Sequence, residues 1–431
     1  MKTTLAGAIQ QIDGQPIQAC YVGVDAAERL AAFVSDRLGA ACLVVADENT
    51  LAAGGERLLR ALSAASRKIV HKTYGADPLD ATEDLGNDVA VAAQDVDAIV
   101  ALGSGTICDL AKHAGTQLAK PSVLYATAAS MNGYTSGITA LKVRGLKRTT
   151  PCDPAAAVFA DPEVVATAPR RMAAAGVADF LSKCSSASDW RAAHYLRDEY
   201  YSPKAMAFYD GTVERVLDAA PGVGRAEPEA LAVVLEALLL SGLSMLAAGS
   251  SSPASGGEHL LSHYLDMKSA LYGTSHDLHG AQVGVGTLHC LGLWERILSL
   301  DPASLDADAL AAAQPRDSDV RAWIEEDWGP AVAPEVLAQW QLKALPPEAL
   351  RGEIARFAAG ADTLRSGVRQ DYLPPAPVAG AIRAAGGPVS PEDLNAPAEE
   401  FHKAVKRARF IRNRFTAVSY TPLTLPPILP V

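Results

Sequence analysis

Asp97-Ala-Ile-Val-Ala-Leu-Gly-Ser-Gly-Thr-Ile-Cys-Asp-Leu-Ala-Lys112 reads as a short apolar strand, a tight Gly-Ser-Gly turn and the opening of a helix. Gly103 and Gly105 carry no side chain, so the backbone there can come close to a ligand. The helix that follows presents N–H groups and the positive end of its dipole, which together suit a phosphate. The third glycine of Gly-x-Gly-x-x-Gly is missing, because position 108 is Cys, so this is not the standard dinucleotide fingerprint. No Gly-Lys-Ser/Thr follows, which removes a Walker-type site. On this stretch alone, a phosphate site and a plain strand–helix turn both stand.

Working outward, residues 41–46, 68–71 and 122–126 are further short apolar runs, with Ala/Leu-rich helical patterns between them. Alternation at this spacing predicts a parallel sheet covered by helices. From about Pro162 the strand signals stop, and long Ala/Leu-rich stretches follow at 163–200, 203–218, 227–249, 257–271 and 278–300. The predicted architecture is a Rossmann-like α/β N-terminal domain over residues 1–162, then an all-α helical-bundle domain over 163–418. Residues 302–348, with Pro and acidic residues between short amphipathic pieces, predict peripheral helices. The last stretch, 419–431, has four prolines in thirteen residues and cannot continue the helix expected over 399–414. It reads as a non-native or disordered tail outside the fold, which implies a truncated native C-terminus.

A chain of 431 residues is too long for one ordinary core, in keeping with two domains. Its net charge of −11 argues against a nucleic-acid partner, which would want a basic face. An anionic substrate would need local positive charge or a helix N-terminus. The six cysteines are scattered with no Cys-x-x-Cys pair, so reduced thiols in a cytoplasmic protein are expected. The apolar run at the N-terminus is too short for a signal peptide. The most apolar window, 230–248, has the length of a membrane span, but Glu236 lies inside it and Glu227 and Glu229 precede it. A buried helix is the expectation there, and no membrane span.

The strongest chemical signal lies in residues 255–289. Five of the nine histidines fall there: His259, His263, His276, His279 and His289. Imidazole is the commonest metal ligand and titrates nearest neutral pH. His259 and His263 are spaced i, i+4 and share one helix face. His279 opens what reads as a second helix, so two helices can bring two or three imidazoles to one point. The set lacks one ligand, which must come from elsewhere. Asp47, at a strand end, could accept hydrogen bonds from an adenosine ribose or cap a helix. The run 127–136, Thr-Ala-Ala-Ser-Met-Asn-Gly-Tyr-Thr-Ser, follows the next strand and would lie over the same sheet edge. The basic run Lys142, Arg144, Lys147 and Arg148 reads as a solvated hairpin, with phosphate steering as the alternative.

Taken together, five ordered segments resemble the sn-glycerol-1-phosphate dehydrogenases, in the superfamily of iron-containing alcohol dehydrogenases, glycerol dehydrogenases and dehydroquinate synthases. They are Gly103-Ser-Gly-Thr-Ile-Cys-Asp-Leu-Ala-Lys112, Ser130-Met-Asn-Gly-Tyr-Thr-Ser136, Gly176-Val-Ala-Asp-Phe-Leu-Ser-Lys183, Pro253-Ala-Ser-Gly-Gly-Glu-His-Leu-Leu-Ser-His263 and His279-Gly-Ala-Gln-Val-Gly-Val-Gly-Thr287. The likeness covers roughly residues 20–300 and implies the dehydroquinate synthase-like fold. It also supplies the missing ligand: a metal held by Asp179, His259 and His279, with coordination positions left for substrate. Zn²⁺ is the default for such a set, and Ni²⁺ or Fe²⁺ would be accommodated. The same matching implies NAD(H) or NADP(H) contacts at Asp47, Gly103, Ser104, Gly105, Thr106, Ile107, Thr127, Ser130 and Ser136. It implies substrate contacts at Asn132, Asp179 and His263, with His263 and Asp179 catalytic and His263 a proton carrier. The family often has Asp where Asn132 stands; Asn keeps an acceptor oxygen, adds a donor and loses the charge.

The activity implied is hydride transfer between NAD(P)H and dihydroxyacetone phosphate, giving sn-glycerol 1-phosphate, and the reverse. The partners expected are a small phosphorylated substrate and further copies of the chain, as a dimer or larger. The alternatives are a polyol dehydrogenase on an unphosphorylated substrate, a dehydroquinate synthase-like lyase and a non-catalytic relative.

Overall fold

The computed structural model describes residues 4–66, 68–143 and 146–420. Among the described residues eight strands are formed: β1 Ala19–Val22, β2 Ala41–Asp47, β3 Lys68–Tyr74, β4 Ala98–Gly103, β5 Ser122–Ala126, β6 Ile138–Val143, β7 Leu146–Pro151 and β8 Ala157–Ala160. Between and around them run α1 Leu5–Gln10, α2 Ala26–Arg37, α3 Glu48–Ala65, α4 Glu83–Ala92 and α5 Gly105–Leu118. After β8 the described residues form helices and no further strand. They are α6 Pro162–Val165, α7 Arg170–Leu181, α8 Lys183–Arg197, α9 Pro203–Met206, α10 Thr212–Gly224, α11 Pro228–Ala248, α12 Gly257–Tyr272 and α13 His279–Ser299. The set closes with α14 Ala307–Ala312, α15 Asp317–Gln341, α16 Pro347–Val368, α17 Pro375–Ala384 and α18 Ala398–Arg407.

Six strands make one parallel sheet in the order β1-β8-β5-β4-β2-β3. The inner strands β4, β5 and β8 are buried along their whole length, as a parallel sheet covered on both faces requires. Phe33, Leu58, Leu62, Leu102, Tyr125 and Phe159 belong to the core on one side of it. β2 and β4 are neighbours, with Val45 opposite Ala101, so Asp47 and Gly103 finish adjacent strands at the same sheet edge. Ligands of open α/β sheets sit beyond such carboxyl ends.

β1 and β8 are not legible in the sequence, and both are sheet members. β6 and β7 pair as the hairpin read from the basic run. Lys142 in it forms an ion pair with Asp80 (2.5 Å), whereas Arg144 and the side chains of Lys147 and Arg148 lie outside the described residues. The helix expected over 399–414 ends at Arg407 and passes into a 3₁₀ turn, Ala408–Phe410. Of the expected tail, Ser419 and Tyr420 close a second such turn, Ala417–Tyr420, and Ser419 Oγ accepts from the Thr416 N–H (3.3 Å). Residues 421–431 lie outside the described residues.

The chain packs as two compact units. The first comprises Met1–Phe180, Lys204–Ser250 and Ala381–Gly387; the second comprises Leu181–Pro203, Ser251–Gly380 and Pro388–Val431. Strands therefore stop near Pro162, as read from the sequence, but α10, α11 and most of α7 pack with the sheet. α11 is long and apolar enough to cross a membrane, and two-thirds of its apolar window is buried inside the protein. It packs as a core helix of the first unit. In the second unit, α8, α12 and α13 enclose Trp190, Leu261, Tyr264 and Trp294.

Candidate active site

In the first unit, the Gly-Ser-Gly turn joins β4 to α5 as expected. A side chain on Gly103 would stand 2.6 Å from Ile107 Cβ, so the turn closes only without one. Ser104 and Ser130 share a hydroxyl–hydroxyl hydrogen bond (2.9 Å), which ties the turn to the 127–136 loop after β5. The Thr127 N–H continues the sheet by donating to Gly103 O (3.1 Å). Thr106 Oγ1 donates to Leu79 O (3.2 Å) and Ile107 is buried. Gly105 lies beside the Met131 sulfur. Asp47 caps α3, its carboxylate accepting from the Thr50 N–H (2.8 Å).

The loop is clamped from several sides. Buried Lys112 donates to Gly133 O (2.9 Å) and Ile138 O (2.6 Å) and reaches Ser136 Oγ (3.4 Å). Ser136 is itself buried, its hydroxyl donating to Gly133 O or Ile138 O. Tyr134 donates to Ala128 O (2.5 Å) and Thr135 Oγ1 to Leu239 O (2.8 Å). Two helices approach through glycines: a Cβ on Gly176 of α7 would fall 1.9 Å from Ala129 O, and one on Gly242 of α11 2.6 Å from Asn132 O. The clamp brings Asn132 to Asp179. Its backbone N–H donates to Asp179 Oδ2 (3.1 Å), and its amide donates to Ser241 Oγ (3.2 Å).

In the second unit, three imidazoles converge. The ring centroids of His259 and His279 are 5.1 Å apart, those of His263 and His279 5.8 Å, and those of His259 and His263 6.1 Å. His259 Nδ1 donates to Glu258 Oε1 (2.9 Å), which puts the ring proton on Nδ1 and the lone pair on Nε2. His279 Nδ1 pairs with Ser262 Oγ (3.1 Å), and Gln282 Nε2 donates to that same hydroxyl (3.0 Å) and to Asp266 (2.9 Å). Glu258 also accepts from the Gly256 N–H (2.6 Å) and the Ser185 hydroxyl (2.8 Å). Burial works to raise its carboxyl, but His259, Gly256 and Ser185 outweigh that and hold it below the ordinary carboxylate value. His276 lies apart on the following loop, paired with Ser269 (3.0 Å), and burial, then the Arg296 and His402 charges, push the His289 imidazole down to about 4.

Asp179 stands two residues before the end of α7, which runs from Arg170 to Leu181. Asp179, His259 and His279 each offer one ligand atom, and these atoms lie within 4.8 Å of one another. The donor set fits a divalent cation: two imidazoles and one carboxylate are the kind of ligands that leave coordination positions open. The buried Asp189 was not anticipated. It accepts from the Gly257 N–H (2.8 Å), from Trp294 Nε1 (2.9 Å) and from the Ala417 N–H (2.8 Å), holding the first turn of α12. Burial, and then the Glu258 charge, push its carboxyl up to about 7. Only Glu258 could have been found from the sequence, because it directly precedes a candidate ligand.

Residues 21–169 match the family described as iron-containing alcohol dehydrogenase. The glycerol-1-phosphate dehydrogenase [NAD(P)+] of Geobacillus stearothermophilus is 28% identical, over 94% of this chain and 92% of that protein. That of Geobacillus thermodenitrificans is 32% identical, over 74% of this chain and 85% of its own length. Among solved structures, NADH-dependent butanol dehydrogenase A from Thermotoga maritima shares the fold with a TM-score of 0.55 at 13% identity, over 94% of this chain and 91% of that one. With the sheet, the loop and a candidate metal cluster described, these likenesses converge: the chain belongs to the glycerol-1-phosphate dehydrogenase family, among the iron-containing alcohol dehydrogenases.

Proposed function

We propose that the protein is a metal-dependent, NAD(P)-linked dehydrogenase that interconverts dihydroxyacetone phosphate and sn-glycerol 1-phosphate. The observation that carries this reading is the convergence of Asp179, His259 and His279 ligand atoms within 4.8 Å, in a chain whose curated relatives are named for that reaction. When bound, the cation supplies Lewis-acid polarisation of the carbonyl and the nicotinamide supplies or takes the hydride. The protein's part is positional. Glu258 and Ser262 hold the two imidazoles in ligating form, and Asp179 is anchored by the Asn132 N–H. The Gly103–Gly105 turn and the N-terminus of α5 offer N–H groups to the pyrophosphate, with Ser104 and Ser130 beside them. Asp47, Thr106, Ile107, Thr127 and Ser136 complete the proposed NAD(P) contacts, Asp47 at its strand end and Ser136 from within the loop clamp. Asn132 takes a substrate hydroxyl, and His263, stacked on His279, gives and receives the substrate-oxygen proton.

Zn²⁺ is the proposed metal by donor chemistry, with Ni²⁺ and Fe²⁺ also compatible. Cytoplasmic location, suggested by six free thiols, and a homo-oligomeric state complete the proposal. The test follows NADH oxidation by dihydroxyacetone phosphate after chelation and after add-back of Zn²⁺, Ni²⁺ or Fe²⁺. Activity should vanish and return. Activity indifferent to both treatments rejects the metal site, and turnover of glycerol in preference to sn-glycerol 1-phosphate rejects the substrate.

A further inference from the structure

An open cavity of about 520 Å³ lies in the second unit, where α8 and α15 end and α16 begins. It shares no lining residue with the site described above, and its size is that of a small-molecule pocket. Leu196, Leu342 and Leu345 give it an apolar wall, and Leu342 stands 70% exposed there. Two charged pairs on its rim are closed. Arg197 grips Glu353 through Nε (2.7 Å) and Nη2 (3.4 Å), and Arg356 meets both oxygens of Asp198 (2.7 and 2.8 Å). Lys343 is the exception. It lines the cavity at 6% exposure and forms no ion pair among the described residues. Its ammonium donates to Arg414 O (2.9 Å) and reaches Ser419 Oγ (3.4 Å), both neutral acceptors. An ammonium has three donors, so one N–H and the whole of the charge are left unanswered.

We infer that this cavity is a binding site for a small organic anion, a phosphate ester or carboxylate with an apolar body, seated on Lys343. A buried cation without a counter-charge costs free energy, and an anion in the cavity offsets that cost. The leucines cover the body of such a ligand. Positive charge is in excess here although the chain as a whole carries −11, because Arg409 and Arg414 add their fields to those of Lys343 and Arg197. Burial, then the Arg197 and Arg409 charges, push the Lys343 ammonium down to about 7, and a neighbouring anion works in the opposite direction. Glu199 is the one opposing charge on the wall with no ion pair among the described residues. It lowers the affinity for an anion without filling the place of one.

The test titrates the full-length protein with phenyl phosphate, phenylacetate and the neutral benzyl alcohol, and reads binding by calorimetry. At least one of the two anions should bind and the alcohol should not. The anion that binds names the headgroup, and binding of both names the shared charge. Lys343→Met should weaken binding at least about tenfold, the worth of a hydrogen bond to a charged group. Gly352→Leu should block it as well, since nothing lies within 4 Å of a Cβ there and the added side chain fills the cavity without touching a charge. Glu199→Gln should tighten binding about fivefold by removing a like charge. The last two changes break no ion pair or hydrogen bond of the fold, so they decide the matter even if Lys343→Met does not fold. Absence of binding by both anions, equal binding of benzyl alcohol, or affinity indifferent to Gly352→Leu and Glu199→Gln overturns the inference.

Discussion

Gly176→Ala should leave the protein folded and nearly disable it. The added Cβ would stand 1.9 Å from Ala129 O and 2.8 Å from Ala129 C, where ordinary contact begins at 3.4 Å. The loop or the helix must therefore give by about 1.5 Å, and such overpacking costs about 1–3 kcal/mol. The loop has little freedom to yield, because Lys112, Tyr134 and Thr135 hold it by four hydrogen bonds of 2.5–2.9 Å. The Asn132 N–H to Asp179 bond, at 3.1 Å, does not survive a displacement of that size. Replacing a helical glycine by alanine returns about 1 kcal/mol of helix propensity, so the net loss of stability is small. The loss of function is not. A shift of about 1 Å in groups that place reactants costs on the order of 10²-fold in rate. kcat/KM for NADH oxidation by dihydroxyacetone phosphate should accordingly fall about a hundredfold while the denaturation midpoint moves little. Gly292→Ala is the control, since nothing lies within 4 Å of a Cβ there and that helix should only gain. A Gly176→Ala protein with kcat/KM within threefold of wild type would refute the clamp.

Three further outcomes follow from the same geometry. Glu258→Gln should weaken metal binding about 10–100-fold, read as metal retained after dialysis against graded chelator, because the carboxylate that orients His259 loses its charge. Lys112→Met strands the carbonyls of Gly133 and Ile138 in a buried site, so about 2–4 kcal/mol of stability should be lost in denaturant titration; a loss below 1 kcal/mol would show that the loop stands without it. Burial, with the charges of Arg296 and His402, depresses the His289 imidazole from 6.5 to about 4, so the unfolded chain binds its proton first as pH falls. Stability from this group is therefore complete above pH 6.5 and declines down to pH 4, by at most about 3 kcal/mol. His289→Gln should flatten that part of the profile, and an unchanged slope would discard the assignment.

What the sequence disclosed and what it hid divide along the range of the forces involved. The Gly-Ser-Gly turn was legible because strand, turn and helix are set by neighbours within a dozen residues. The pairing of His259 with His263 was legible because helical period alone puts them on one face. β1 and β8 were not, since four residues of Ala-Cys-Tyr-Val or Ala-Val-Phe-Ala carry no alternation, and the sheet rather than the segment makes them strands. Segment 381–387 shows the same limit: it packs with the sheet unit although its neighbours on both sides do not, and nothing local marks it. Asp179 looked like any helical carboxylate until a resemblance singled it out. Asp189 and Ser241 had no such help. Each earns its place through partners in distant segments, 68 to 228 residues away for Asp189 and 109 for Ser241. These hidden residues share one property: a buried polar atom on a helix, whose desolvation only a specific partner can offset. The imidazoles and the glycine turn are thus written locally and can be read, while Asp179 and the groups that aim the imidazoles are written in the packing.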